Sequence, residues 1–190
     1  DGVLYVNNLS QTSIWTVPVL DDGTPGEMVP YVVSEFAFIP DGIALDADGR
    51  QVDALSSNNG HLLWSGIVDK SKAKAVVGHL MGRRLYSGWG VRTMAEGEGR
   101  YNPIGYHVGT VWPFDNSFIA WGLRRYGFKE EAARIAEGIF AASGFFDGRL
   151  PEAFGGYPRE MTKYPVQYPT ACSPQAWSTG TPLLLLRTML

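Results

Sequence analysis

Glu152 follows Leu150-Pro151 in a loop between two helical stretches, and Asp115 opens a helix just after Trp112-Pro113. Two carboxyl groups flanking a scissile bond can act as proton donor and as base or nucleophile, the arrangement by which glycosides are cleaved. Each residue also has a plainer reading. Glu152 could be a surface side chain or pair with Arg149 or Arg159, and Asp115 could cap or stabilise the first turn of its helix. Asp53, Asp147, Glu96 and Glu98 are weaker candidates for a second carboxyl group. Tyr106 and His107 could contact hydroxyl groups of a substrate, with a backbone-tied histidine as the alternative. His61 and His79 read as structural. Three histidines without carboxylate or cysteine at ligand spacing make no zinc site, so neither metal nor cofactor is expected.

The chain holds six Trp, nine Tyr and nine Phe. These either pack the core or offer flat faces to the axial C–H groups of sugar rings. Trp64, Trp89, Trp112 and Trp177 are the candidate stacking walls. Trp89 lies between Gly88 and Gly90, which lets backbone come close to a ligand. Trp177 lies inside a helical pattern and is expected in the core. Arg92 and Gln175 could reach sugar hydroxyls.

These residues need elements to hold them, and the chain has two textures. Residues 1–50 alternate like strands: Val3–Val6, Ser13–Val17, Met28–Val33 and Ile43–Leu45, with a turn over Asp21–Gly26. They predict a small antiparallel meander. From Ala54 the apolar spacing turns helical. Leu62, Leu63, Ile67 and Val68 form one stripe behind N-cap candidates Ser56, Ser57 and Asn58. Further helices are expected over 69–81, 115–126, 129–143 and 174–190, with Gly127 closing the third. Between them lie long aromatic loops, 82–114 and 144–173. Loops of that length in a compact domain usually carry function.

The apolar fraction of 45% and net charge of −3 over 190 residues fit an ordinary globular protein. Nothing in that charge calls for nucleic acid or an anionic membrane. The single cysteine, Cys172, excludes an intrachain disulfide. With no charged-then-apolar leader and no apolar run near the ~20 residues of a membrane span, the expectation is a soluble, cytoplasmic protein.

Several short stretches in order carry a family resemblance: Gln51–Asn58, Gly60–Ile67, Ser87–Thr93, Tyr101-Asn102-Pro103, Tyr106-His107, Val111-Trp112-Pro113, Asp115-Asn116, Leu150-Pro151-Glu152 and Cys172–Trp177. Residues 53–190 thereby resemble the end of the glucosidase domain of glycogen-debranching, amylo-α-1,6-glucosidase-type enzymes. That resemblance implies part of an (α/α)6 toroid, whose full form has twelve helices in two rings. It places Glu152 at the family's general base, whereas the family's acid lies upstream of the matched region and carries over to no residue here. Asp115 is then the best replacement acid. Val108 stands for the family's usual Asn and Phe114 for its usual His, each exchanging a hydrogen-bonding group for an apolar one. Residues 1–50, chiefly Asp1–Val6, Ile14-Trp15 and Ile39–Asp46, are similar to the SMP-30/gluconolactonase propellers. In that family Asp41 would be a metal ligand; by itself Asp41-Gly42 reads as a turn.

The expected fold class is therefore mainly α, a partial (α/α)6-toroid-like helical domain (51–190) behind a propeller-like β meander (1–50). The leading functional reading is a glycoside hydrolase on glucosides or galactosides, of either anomer, retaining or inverting. A non-catalytic carbohydrate-binding module, a metal-dependent lactonase-like protein and a non-functional fragment are the alternatives. Half a toroid would leave an apolar helix face bare, so a carbohydrate substrate is joined on the partner list by a second copy in a homo-oligomer.

Overall fold

The computed structural model describes residues 3–8, 13–18, 20–22, 24–27, 29–33 and 54–190. The chain divides into two compact units, Asp1–Asp53 and Ala54–Leu190. The expected strand at Ile43–Leu45, the turn at Asp41 and the side chain of Asp53 lie outside the described residues.

In the first unit, β1 (Val3–Asn8), β2 (Ser13–Pro18) and β3 (Val29–Val33) pair antiparallel in sequence order. Val3 faces Pro18 and Asn8 faces Ser13; a bulge at Ile14/Trp15 shifts the pairing with β3. The expected turn is tied by Asp22. Its carboxylate accepts from the Thr24 hydroxyl at 2.5 Å and the Thr24 N–H at 2.9 Å. Those bonds hold its pKa below the usual carboxylate value.

The second unit is helical. α1 (Asn58–Ser65), α2 (Lys70–Leu80), α3 (Pro113–Arg125), α4 (Lys129–Ser143), α5 (Arg159–Thr162) and α6 (Thr181–Met189) are joined by long irregular loops. Thus the molecule is mainly α with a small antiparallel meander. Helix periods in the sequence locate α2, α3 and α4 to within about two residues. Asp69 caps α2 by accepting from Ser71 N–H at 2.7 Å and its hydroxyl at 2.6 Å. α1 departs from expectation: Ser57 makes no side-chain cap, and Gly66 at φ 79° ends the helix before Ile67 and Val68. α3 begins earlier than expected, because Pro113 supplies a ready first helical position. The last helix begins at Thr181 rather than 174, behind a 3-10 turn at Trp177–Gly180.

α3 packs against α1, α4 and α6. Its buried Ile119 and Leu123 meet Leu63, Ile135, Ile139 and Leu185 in one core. Glycines set how closely these pieces approach. A Cβ on Gly122 would lie 2.5 Å from the Trp64 nitrogen, and one on Gly60 2.5 Å from Ile119 Cγ1. A Cβ on Gly138 of α4 would strike the Trp89 carbonyl. Alanine there gains about 1 kcal/mol of helix propensity, but a clash with backbone costs about 1–3 kcal/mol. Gly138→Ala is expected to lose net stability in a urea melt; an unchanged midpoint would mean that α4 does not press on the 87–91 turn. Among the described residues no helix is long and apolar enough to cross a membrane.

Candidate active site

Three isolated bridges line up the long loops: Arg92 with Val111, Val111 with Phe154, and Phe154 with Gln167. Val111 and Phe154 exchange backbone hydrogen bonds of 2.9 and 3.0 Å, and both side chains are fully buried. Glu152 lies two residues from this anchor, and its N–H donates to the Cys172 carbonyl at 2.9 Å. The loop backbone is therefore fixed on both sides of the carboxylate. Sequence expectation placed Glu152 in such an inter-helix loop, and among the described residues it makes no ion pair with Arg149 or Arg159.

Around Glu152 stands an aromatic cluster. The Tyr106 hydroxyl donates to Glu152 Oε1 at 2.6 Å. This bond to an anion, chiefly, pushes the phenol up to about 12. The Tyr106 ring meets Trp112 at 5.0 Å and Tyr168 at 5.5 Å between centroids. His107 stacks on Trp112 at 5.0 Å and 16°. The Trp112 indole N–H is shared between the Tyr106 carbonyl (3.1 Å) and the Thr110 hydroxyl (3.0 Å). Trp177 lies edge-on to Trp112 at 6.4 Å and parallel to Phe114 at 4.4 Å. Gln175 sits alongside, its side-chain oxygen accepting from the Trp177 N–H at 3.2 Å.

Asp115 lies in the first turn of α3, beside Phe114. The close approach of α1 and α3 brings His61 to it, with Nε2 and Asp115 Oδ1 2.5 Å apart. Asp115 Oδ2 is buried and has no hydrogen-bond partner among the described residues. Trp112, not Asp115, occupies the cap position of α3.

Two residues expected at the ligand belong to the core instead. Trp89 is 1% exposed, with the Arg159 guanidinium over its ring at 4.3 Å and Phe145 edge-on at 5.9 Å. Its flanking glycines admit protein rather than ligand. A Cβ on Gly88 (φ 89°) would lie 2.8 Å from Arg159 Cβ, and one on Gly90 2.8 Å from Asn116 Oδ1. Arg92 is likewise 1% exposed. It spends its donors on the carbonyls of Gly156 (2.5 Å), Arg83 (3.0 Å) and Arg84 (3.1 Å). Burial pushes its guanidinium below the usual arginine value. Trp177 moves the other way, 48% exposed where the sequence pattern put it in the core.

The sequence reading missed three participants. Asn116 is fully buried and binds both the N–H and the carbonyl of Val91 (2.7 and 3.0 Å), locking the 87–92 turn onto α3. His61 and Tyr168 joined the site through contacts remote in sequence, and no local pattern announces those. A separate cleft of about 720 Å³ lies among Phe145, Asp147, Arg149, Tyr164, Gln167 and Ser173; of the expected carboxyl candidates only the weaker Asp147 lines it, and neither Glu152 nor Asp115 does.

The family model for the mannosylglycerate hydrolase MGH1-like glycoside hydrolase domain matches residues 42–155, a span that contains Tyr106, Asp115 and Glu152. A curated relative, mannosylglycerate hydrolase of Rubrobacter radiotolerans, is 31% identical over 96 residues, 48% of this chain and 22% of the relative. The fold is similar to that of the GH63 mannosylglycerate hydrolase of Thermus thermophilus in complex with glucose, at TM-score 0.58 and 20% identity. An uncharacterized conserved protein of the same organism gives the same score. Each covers 74% of this chain, and the chain covers 33% of each. It thus spans a third or less of the length of these relatives. GH63 enzymes are helical toroids, so the helical unit is part of such a toroid. The resemblance to glycoside hydrolases holds, in MGH1-like rather than specifically debranching form. The chain belongs to the mannosylglycerate hydrolase MGH1-like glycoside hydrolase domain family.

Proposed function

We propose that this chain carries out glycoside hydrolysis, with Glu152 as the key carboxylate and Asp115 as the second. One observation carries the reading. Glu152 is held at the edge of an aromatic cluster whose exposed members, Tyr106 and Trp177, can stack on a sugar ring. Glu152 would act as base or nucleophile on one side of the bond, and Asp115, backed by His61, would deliver the proton to the leaving oxygen. His107, Trp112 and Gln175 would shape the sugar site. Glucosides and galactosides are the proposed substrates, and mannosylglycerate joins them because relatives carry that name. The proposed site of action is the cytoplasm, where the exposed Cys172 would stay a thiol.

The test is release of nitrophenol from α- and β-linked glucosides, galactosides and mannosides, and of mannose from mannosylglycerate, with chelator present. Turnover that chelator spares supports the reading. Sugar binding without turnover, by folded protein, would make this a binding module instead.

α6 and the residue that ends it present Leu183, Leu186 and Leu190, 71%, 52% and 96% exposed. The proposed cover is a second copy of the chain. Light scattering is expected to give twice the chain mass for the wild type and a single chain mass for Leu183→Glu/Leu186→Glu. A monomeric wild type would rule the dimer out.

A further inference from the structure

Tyr106 is held at both its backbone and its ring. Its carbonyl accepts from both the Thr110 hydroxyl (2.6 Å) and the Trp112 indole (3.1 Å), which fixes the backbone. Trp112 and Tyr168 pack against the ring, which limits its rotation. Thr110 and Trp112 flank Val111, and Val111 is paired to Phe154, two residues beyond Glu152. One short lattice therefore carries both the phenol and the carboxylate, and the two meet at 2.6 Å.

We infer that Tyr106 is a positioning residue for Glu152: its hydroxyl clamps Oε1 and leaves Oε2 as the one oxygen directed to water or sugar. This rests on the proposed role of Glu152 and replaces the expectation that Tyr106 serves chiefly as a sugar contact. Among the described residues no side chain bonds Oε2. Tyr106 itself keeps its proton throughout the working range, because Glu152 holds it up to about 12. With Oε1 occupied by the phenol, Oε2 is the oxygen free to take a proton or to attack, which suits the proposed role of base or nucleophile. That leaves the acid role to another group.

The test combines kinetics with a spectroscopic readout that does not need turnover. Tyr106→Phe should lower kcat about ten- to a hundredfold, the value of a hydrogen bond to a charged group, with KM unchanged. A residue that mainly binds sugar would raise KM instead. In parallel, the full chain is labelled with 3-fluorotyrosine, and the Tyr106 fluorine signal is assigned by its loss in Tyr106→Phe. Fluorination brings phenol titration into a range where the fold survives. In the wild type that signal should titrate later than in Glu152→Ala, which removes both the acceptor and the charge. The same titration in wild type and Glu152→Ala overturns the clamp. Wild-type protein without turnover sinks the glycosidase reading alone, and the fluorine signal still decides whether the clamp exists.

Discussion

Glu152→Gln is expected to lower kcat at least about a thousandfold while leaving the fold and sugar affinity intact. The magnitude follows from losing a group that takes a proton or attacks carbon in the transition state. General acid–base groups alone contribute about 10²–10⁴-fold, and a nucleophile contributes more. The substitution is well suited to this question because glutamine keeps the size of the side chain. Its amide oxygen can still accept from Tyr106, and the Glu152 N–H bond to Cys172 is untouched. Stability and sugar binding therefore serve as internal controls. A drop in kcat with unchanged melting and unchanged KM isolates the chemistry. A rise in KM at constant kcat would make Glu152 a sugar ligand.

Arg92→Met is expected to damage the fold more than any substitution in the aromatic cluster. The arginine is buried and bonds three carbonyls drawn from separated segments, at Arg83, Arg84 and Gly156. Methionine fills much of the volume and removes the burial cost of the charge. It also strips several carbonyls of their donor, at about 1–3 kcal/mol for each one left unsatisfied. The carbonyl term wins, and a net loss of about 3–5 kcal/mol is expected. That is a large part of the roughly 5–15 kcal/mol by which such domains are stable, and corresponds to about 10 °C in Tm. Arg92→Lys should recover only a fraction, since an ammonium cannot span the fork. Gly156 gives a second handle on the same spot. A Cβ there would strike the Gly109 carbonyl, so Gly156→Ala should melt the same lattice. If Arg92→Met melts like the wild type, the loop lattice is held by something other than this guanidinium.

These residues also mark how far the sequence could be read. The apolar periods of 129–143 and 115–126 named the buried side of α4 and α3, since Ile135, Ile139, Ile119 and Leu123 are fully buried. A local pattern suffices where helix geometry fixes which side chains share a face. The loops offered no such rule. Their order comes from pairings between residues far apart in sequence, such as Val111 with Phe154 and Phe154 with Gln167. Trp89 illustrates the cost. Glycines beside an aromatic signal close approach, but what approaches is Arg159, Val111 and Asn116 rather than a ligand. Arg92 fails for the same reason, because a cation whose partners are backbone carbonyls looks like any other arginine in a sequence. Glu152 was placed by family resemblance. Its hydrogen bond to Tyr106 spans 46 positions and could be seen only in three dimensions.

Chemical rescue asks whether the Glu152 carboxylate itself carries out the reaction. Glu152→Ala opens space where the carboxylate stood, and azide is a small anion able to attack the anomeric carbon from there. With an activated nitrophenyl glycoside that the wild type cleaves, proton NMR would follow both sugar and product. Glu152→Ala alone is expected to be inactive, and added azide is expected to restore turnover with a glycosyl azide as product. Wild-type turnover by Glu152→Ala without azide, yielding only the free sugar, would mean that the reaction does not use this carboxylate.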